Sequence, residues 1–158
     1  MSRGRKRHWH KKNSLPEHRR PPQYNVPQGQ CRWCGGDIPP QLKKDGAPRK
    51  IQPNWHTERR SGEPGCVEEY RIALNPRLAI QTLISMHGHQ CAMCQTTKGP
   101  LDVDHITPLW EGKFMPHEER RGLFLITNLQ LICIPCHKLK NTQEAARLAK
   151  RRRTTQDA

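Results

Sequence analysis

Two C-x-x-C turns give the strongest indication of the fold of this chain: Cys91-Ala92-Met93-Cys94 and Cys133-Ile134-Pro135-Cys136. This spacing lets two thiolates on one tight turn reach the same tetrahedral zinc ion, at about 2.3 Å from each sulfur. A single pair would also suit a redox dithiol, but two pairs that flank a compact segment are typical of zinc. We therefore predict that these four cysteines form one structural zinc site, with no position left open for water.

The three remaining cysteines lie upstream, at Cys31, Cys34 and Cys66, and lack a fourth thiol partner. Seven cysteines cannot all pair in disulfides within one chain. His56 is the only histidine between Cys34 and Cys66, so it is the predicted fourth ligand of a second structural zinc site. The alternative is that His56 is an ordinary polar residue, and that water or another group completes the shell.

The composition limits the class of protein. Of 158 residues, 33% are hydrophobic, and 28 Lys and Arg against 14 acidic residues give a net charge of +14. Such a thin core usually needs metal, disulfides or a partner chain, and the charge favours nucleic acid as a partner. We find no apolar run long enough for a membrane span and no export signal behind the basic start. We therefore expect a cytoplasmic protein, intracellular and not secreted, without a membrane partner.

Helix-capping residues predict the helices. Asn75 and Pro76 are typical of a helix start and Gly88 of a helix end, so we expect a helix from about 76 to 87, after a short helix over 67–74. Pro135 is placed to open a last helix, which we expect to dissolve into the basic run 150–153. One face of that helix is expected to carry Leu139, Thr142, Ala146 and Ala149.

Strands are predicted from apolar runs and from alternation. Apolar and polar residues alternate over 101–106, which predicts a strand. The short apolar segment 123–126 is expected to form a second strand. Between them, residues 107–121 contain two prolines, a glycine and several charges, so we expect a long loop there.

Residues able to carry chemistry lie between and just after the two cysteine pairs: Asp104, His105, Asn128 and His137. A zinc-clamped hairpin would bring the strand with Asp104 and His105 against the helix with His137. A carboxylate and a neutral imidazole together suit a divalent metal with open positions. His105 could take a proton from water at neutral pH. Any one of these residues alone would be unremarkable on a protein surface, but the set is framed by zinc ligands on both sides.

These residues resemble the zinc-stapled HNH endonucleases of the ββα-metal superfamily. The resemblance covers about 80–142 and lies in four motifs: Cys91-Ala92-Met93-Cys94, Asp104-His105-Ile106-Thr107-Pro108-Leu109, Asn128-Leu129-Gln130-Leu131-Ile132-Cys133 and Ile134-Pro135-Cys136-His137-Lys138. The stretch 31–71 is similar to a zinc knuckle found before some such domains. The resemblance implies a small α+β fold: a ββα-metal catalytic core stapled by the four-cysteine zinc site and preceded by a loop-rich zinc knuckle.

The resemblance also implies roles for the four residues. His105 would be the general base that activates water, and Asp104 and His137 would bind the catalytic metal, Mg²⁺ or Mn²⁺. Asn128 would hold the loop and the base in place, although its counterpart binds metal in some relatives. The chain departs from the family pattern after Trp110, where a longer segment, 111–125, intervenes. His117 lies in that segment and is expected to be a surface residue.

The expected organisation has four parts. Residues 1–28 form a disordered basic arm, 29–75 a zinc knuckle with a short helix, 76–150 an HNH nuclease domain, and 151–158 a basic and polar tail. The expected function is metal-dependent cleavage of DNA phosphodiester bonds, by nicking or by double-strand cleavage, in a monomer or a homodimer. The basic runs 3–12 and 138–153 would contact DNA. The alternative is a noncatalytic zinc-finger protein that binds nucleic acid and keeps a vestigial HNH site.

Overall fold

The computed structural model describes residues 16–57 and 65–156, so the basic run 3–12 lies outside the described residues. The fold is a small mixture of helices and one two-stranded sheet. Its main elements are α1 (Cys66–Leu74), α2 (Pro76–His87), β1 (Leu101–His105), β2 (Leu129–Cys133) and α3 (Ile134–Gln156), with short 3-10 helices at Glu17–Arg19, Leu109–Phe114, His117–Phe124 and Ile126–Asn128. Among the described helices, none combines the length and apolar character that crossing a membrane requires.

Helix α2 is the helix predicted from its capping residues, and that prediction is confirmed. The Asn75 side chain accepts hydrogen bonds from the backbone N–H groups of Arg77, at 3.1 Å, and Leu78, at 3.3 Å. Gly88 ends the helix with φ of +79°, a left-handed conformation that suits glycine. Helix α1 begins at Cys66, one residue before the predicted start, so a candidate zinc ligand stands in its first turn.

Strands β1 and β2 pair antiparallel, with Leu101 opposite Cys133 and His105 opposite Leu129. The prediction of a strand at β1 is confirmed, but the prediction of a second strand over 123–126 is wrong. That segment lies at the junction of two 3-10 helices. Its apolar side chains are buried in two separate cores, so packing and not strand pairing accounts for its hydrophobicity.

The main core lies between α1, α2 and the sheet. Helix α2 packs on both strands through Ala79 and Leu83. The buried members of this core are Ile72, Ala79, Leu83, Cys91, Leu101, Ile126, Leu129, Leu131, Ile132 and Cys133. Two candidate zinc ligands are therefore part of the core itself, which ties the four-cysteine cluster to the sheet.

A second core joins the N-terminal knuckle to segment 111–125. It buries Trp33 against Leu123 and Phe124. The Trp33 indole Nε1–H donates to Glu69 Oε2 at 2.6 Å, and the same carboxylate oxygen lies 3.2 Å from Arg121 Nη2. The long loop expected over 107–121 is thus mostly 3-10 helix, because its side chains have a knuckle to pack on.

Helix α3 starts where predicted, but its expected end is wrong. The predicted face is exposed, with Leu139 at 52%. The face turned toward the sheet carries polar side chains instead, including His137, Lys140 and Glu144. The helix continues to Gln156, and Glu111 anchors this extension through ion pairs with Arg147, at 3.6 Å, and Arg151, at 2.6 Å.

The predicted disordered arm falls partly within the described residues. Residues 17–24 pack on segment 111–125, where Glu17 Oε1 lies 2.9 Å from Arg120 Nη1. The Tyr24 hydroxyl donates to the Glu118 carbonyl at 2.7 Å. The Tyr24 ring also meets the edge of His117 at 5.3 Å, so His117 is half-buried and not an open surface residue. The expectation of disorder therefore does not hold for this stretch.

Candidate functional site

The four-cysteine cluster has the geometry of a tetrahedral metal site. The sulfurs of Cys91, Cys94, Cys133 and Cys136 all lie within 4.8 Å of one another. Cys94 Sγ and Cys133 Sγ are 3.7 Å apart, and two thiolates on one zinc ion are about 3.8 Å apart at ordinary bond lengths. A turn before β1 provides Cys91 and Cys94, and the direct junction of β2 with α3 provides Cys133 and Cys136. The cluster could therefore hold a structural zinc ion, as predicted.

The thiols of this cluster do not ionise alike. Burial disfavours the Cys91 thiolate, but backbone N–H groups, those of Cys94 and Cys133 first, outweigh it and lower the pKa of Cys91 to about 6. The side-chain hydrogen bond with Cys133 and burial raise the pKa of Cys136 to about 12. One thiolate thus forms readily and makes the next one harder to form. A bound dication removes that conflict, because it stabilises all four thiolates together.

The second cluster groups His56 with Cys31, Cys34 and Cys66, as predicted, and all four ligand atoms lie within 4.8 Å. His56 Nδ1 is 3.3 Å from Cys34 Sγ and 3.6 Å from Cys66 Sγ. At a zinc ion, sulfur and nitrogen ligands are about 3.5 Å apart. His56 Nε2 lies 2.9 Å from the Asp37 carbonyl, so an Nε2–H donor fixes the ring and leaves Nδ1 for the metal.

Both C-x-x-C turns before the sheet have the same backbone form. Gly35 N donates to the Cys31 carbonyl at 2.8 Å, and Gln95 N donates to the Cys91 carbonyl at 2.9 Å. The residue after the second cysteine is left-handed in each, with φ of +72° at Gly35 and +62° at Gln95. Residues 31–35 and 91–95 are identical only at their cysteines. The shared turn explains how both segments can present two thiols to one metal ion.

The polar cluster beside the sheet is built around Asp104, which is 8% exposed on β1. Its two carboxylate oxygens have different surroundings. Oδ2 accepts hydrogen bonds from Gln130 Nε2, at 2.7 Å, and lies 2.9 Å from Lys140 Nζ. Oδ1 receives no hydrogen bond from any described residue and faces His137 Nε2 at 3.9 Å, too far for a hydrogen bond. The structure therefore brings Asp104 and His137 together with one donor atom of each directed toward the other.

Asp102 contacts the other nitrogen of the His137 ring, Nδ1. Its Oδ2 lies 3.4 Å from His137 Nδ1, a long hydrogen bond. A proton on Nδ1 leaves the lone pair on Nε2, next to Asp104 Oδ1. Two donor atoms bound to one divalent ion at about 2.1 Å lie about 3.0 to 4.2 Å apart, and the observed 3.9 Å falls in that range. This donor set fits a hard divalent cation.

His105 follows Asp104 directly, and its imidazole is largely buried beside the Phe124 ring, with 6.1 Å between centroids. Burial lowers the pKa of His105; the Asp104 carboxylate opposes this effect, and Lys140 adds to it. Within 16–57 and 65–156, neither ring nitrogen has a hydrogen-bond partner. The ring is therefore neutral near pH 7 and has a lone pair free to accept a proton.

Asn128 links the loop after β1 to the segment before β2. Its Oδ1 accepts from Thr107 N at 2.8 Å, and its Nδ2 donates to the carbonyls of Thr107, at 3.1 Å, and Leu123, at 2.9 Å. All its side-chain polar atoms are thus used by backbone groups. This geometry suits a residue that fixes the loop beside His105 and not one that binds metal.

The sequence analysis missed Asp102 and Lys140. Lys140 is 14% exposed in its side chain and donates to the His105 carbonyl at 2.6 Å, as well as contacting Asp104 and Glu144. Burial opposes its charge, but the carboxylates of Glu144 and Asp104 outweigh this effect and raise the pKa of Lys140. Two sequence signals were present: Asp102 shares the strand face of Asp104, and Lys140 lies one helical turn after His137.

Comparison with known proteins adds no relative. No family model, no curated protein and no solved structure matches the chain. The interpretation of the site therefore depends on its geometry and on the motifs in the sequence.

Proposed function

We propose that the chain is a metal-dependent DNA endonuclease of the HNH type, whose ββα-metal core consists of β1, β2 and α3. One observation carries the proposal: Asp104 Oδ1 and His137 Nε2 face each other at 3.9 Å, and the residue that follows Asp104, His105, has an imidazole without a hydrogen-bond partner among the described residues. A module that only binds nucleic acid has no need of a paired carboxylate and imidazole beside a free base. The resemblance of the four motifs to HNH endonucleases supports the same proposal.

The chain's own residues divide the work of hydrolysis. A ring nitrogen of His105 takes a proton from water as the water oxygen forms a bond to phosphorus and the P–O ester bond breaks. Asp104 and His137 would hold Mg²⁺ or Mn²⁺, which would supply positive charge for the scissile phosphate and the leaving oxygen. Asp102 keeps the His137 ring in orientation, and Asn128 keeps the loop next to His105 in place.

Lys140 has a supporting role in this scheme. It neutralises one oxygen of the nearly buried Asp104 and thereby leaves the other oxygen for the metal. Its bond to the His105 carbonyl also ties β1 to α3 at the position of the base. The two Cys/His clusters hold the scaffold around this site, with zinc as the ion that suits their ligands.

Substrate affinity comes from cations along α3. Lys138 follows His137 on α3 and is exposed, as are Lys150 and Arg153 further along the helix. Lys and Arg bind DNA by neutralising phosphates and releasing counterions, with little dependence on sequence. Helix α3 thus provides a basic surface that starts at the catalytic residues.

The proposal is tested with supercoiled plasmid and zinc-loaded protein, in the absence of other divalent ions and with added Mg²⁺ or Mn²⁺. Nicked or linear product is expected only with the added ion. Asp104→Ala should abolish cleavage, and Glu119→Ala, which removes an exposed carboxylate from segment 111–125, should cleave as wild type does. If no divalent ion supports cleavage by the wild-type protein, the chain is a noncatalytic nucleic-acid-binding protein.

A further inference from the structure

A short hairpin within the knuckle is held by hydrogen bonds. Leu42 and Pro48 form an antiparallel bridge, and Lys43 N donates to the Ala47 carbonyl at 2.7 Å. Gln52 closes its base, accepting from Gln41 N at 2.8 Å and donating to the Arg49 carbonyl at 2.7 Å. We refer to residues 41–50 as the basic hairpin. Its backbone is therefore an ordered scaffold for side chains.

The basic hairpin presents four exposed cations: Lys43, Lys44, Arg49 and Lys50. None of them forms an ion pair or a side-chain hydrogen bond with another described residue. Its one carboxylate, Asp45, accepts a hydrogen bond from Ala47 N at 3.0 Å and so stabilises the turn. Cations without an ion pair keep their charge for a partner, and phosphates are the groups that Lys and Arg neutralise when they bind nucleic acid.

Four cations elsewhere in the described residues are used differently. Arg120, Arg121, Lys140 and Arg147 each lie next to a carboxylate of the chain itself. Those pairs hold segments of the fold together and have less charge to offer to a ligand. The cations of the basic hairpin differ from these four because they have no such carboxylate partner among the described residues, and all four lie within ten residues of one ordered turn.

The hairpin is also connected to the proposed catalytic site. It lies in sequence between Cys34 and His56, two ligands of the N-terminal cluster. That cluster packs through Trp33 on Phe124 and Leu123, and the Phe124 ring meets His105. A ligand bound to the hairpin is thus held by the same packed body as the proposed base.

We propose that the basic hairpin is a second DNA contact, which binds phosphates of a duplex away from the scissile bond. The proposal rests on the proposed function for the choice of duplex DNA as partner, but it requires no cleavage. Affinity falls as salt rises, and each phosphate neutralised makes the slope of log affinity against log salt concentration steeper by about 0.9. Four cations would contribute up to about 3.6 to that slope if each meets a phosphate.

The test measures binding of zinc-loaded full-length protein to a fluorescent 30-base-pair duplex without Mg²⁺ or Mn²⁺, over a series of salt concentrations. The variant K43Q/K44Q/R49Q/K50Q is compared with R71Q/R77Q/K98Q/K113Q, which removes the same charge from other exposed positions. We expect the hairpin variant to lose about 2 to 3.6 units of salt slope and at least about tenfold in affinity at moderate salt. The control variant should lose less than one unit of slope.

Equal losses of affinity and salt slope in the two variants would overturn the proposal, since net charge alone would then explain binding. Unchanged DNA binding by the hairpin variant would overturn it as well. The same titration is repeated with an RNA duplex of equal length, and a loss of affinity for the RNA duplex alone would also overturn the proposal. Equal zinc content in all three proteins checks that the knuckle is folded. Plasmid cleavage separates this proposal from the proposed function: hairpin-dependent binding without cleavage by the wild type would contradict the nuclease and leave the hairpin contact standing.

Discussion

Replacing Asp102 tests whether this carboxylate orients the His137 ring through Nδ1 and thereby leaves Nε2 to bind the metal ion. Asp102 contacts Nδ1 at 3.4 Å, while Nε2 faces Asp104. Loss of such a partner behind a metal-binding histidine typically costs 10- to 100-fold in metal affinity. The Asp102 contact is long, and its side chain is 48% exposed, so water replaces part of it. We therefore expect Asp102→Ala to weaken Mn²⁺ binding by about tenfold, equivalent to about 1.4 kcal/mol.

The assay is a Mn²⁺ titration of zinc-loaded protein, followed by electron paramagnetic resonance of free Mn²⁺. Asp102→Asn should fall between wild type and Asp102→Ala, because an amide oxygen still accepts the Nδ1 proton but has no charge. Glu119→Ala is the charge-matched control. Wild-type affinity in Asp102→Ala would refute the orienting role. A loss as large as that of Asp104→Ala would instead show that Asp102 binds the ion directly.

Three further changes test the scaffold. Elemental analysis should find two zinc ions per chain, and a folded wild-type protein with only one would contradict the second site. Cys133→Ser should lose one zinc ion and unfold the sheet, because the binding energy of structural zinc is folding energy. Asn128→Ala leaves three backbone groups without their partners and should lower the free energy of unfolding in urea by about 2 to 3 kcal/mol; a loss below about 0.5 kcal/mol would show that water replaces the amide. Glu69→Ala removes the acceptor shared by Trp33 and Arg121 and should destabilise by about 2 kcal/mol in the same assay, whereas Glu69→Gln should cost less because it can still accept the indole N–H.

The parts of the fold that the sequence predicted are those set by local chemistry. Asn75, Pro76 and Gly88 mark the ends of α2 by themselves, because capping and left-handed backbone depend on neighbouring residues alone. Cysteine spacing predicted both metal clusters for a similar reason, since a C-x-x-C turn brings its two thiols together without help from distant residues.

The parts that the sequence did not predict depend on contacts between distant segments. The apolar run 123–126 looks like a strand until the knuckle provides Trp33 as a packing partner. The inward face of α3 is polar because it meets Asp104 and Asp102, so no apolar stripe marks it in the sequence. Helix α3 extends beyond its predicted end because Glu111, far along the chain, pairs with Arg147 and Arg151.

The candidate site was partly predictable. Asp104 and His137 were identified from the motifs, and the structure places them together. The roles of Asp102 and Lys140 needed coordinates, because they depend on which oxygen and which nitrogen each side chain contacts. For Asn128 the sequence left two roles open, and its three backbone hydrogen bonds favour positioning over metal binding.

The most direct measurement is plasmid cleavage by His105→Ala across a wide range of Mn²⁺ concentrations. Since the imidazole is proposed as the only proton acceptor at the reacting water, its removal should slow cleavage by about 10²- to 10⁴-fold. Zinc content, DNA affinity and Mn²⁺ affinity should stay at wild-type levels, excess Mn²⁺ should restore nothing, and the exposed-histidine control His87→Ala should cleave normally. Cleavage by His105→Ala at the wild-type rate would contradict the proposed mechanism.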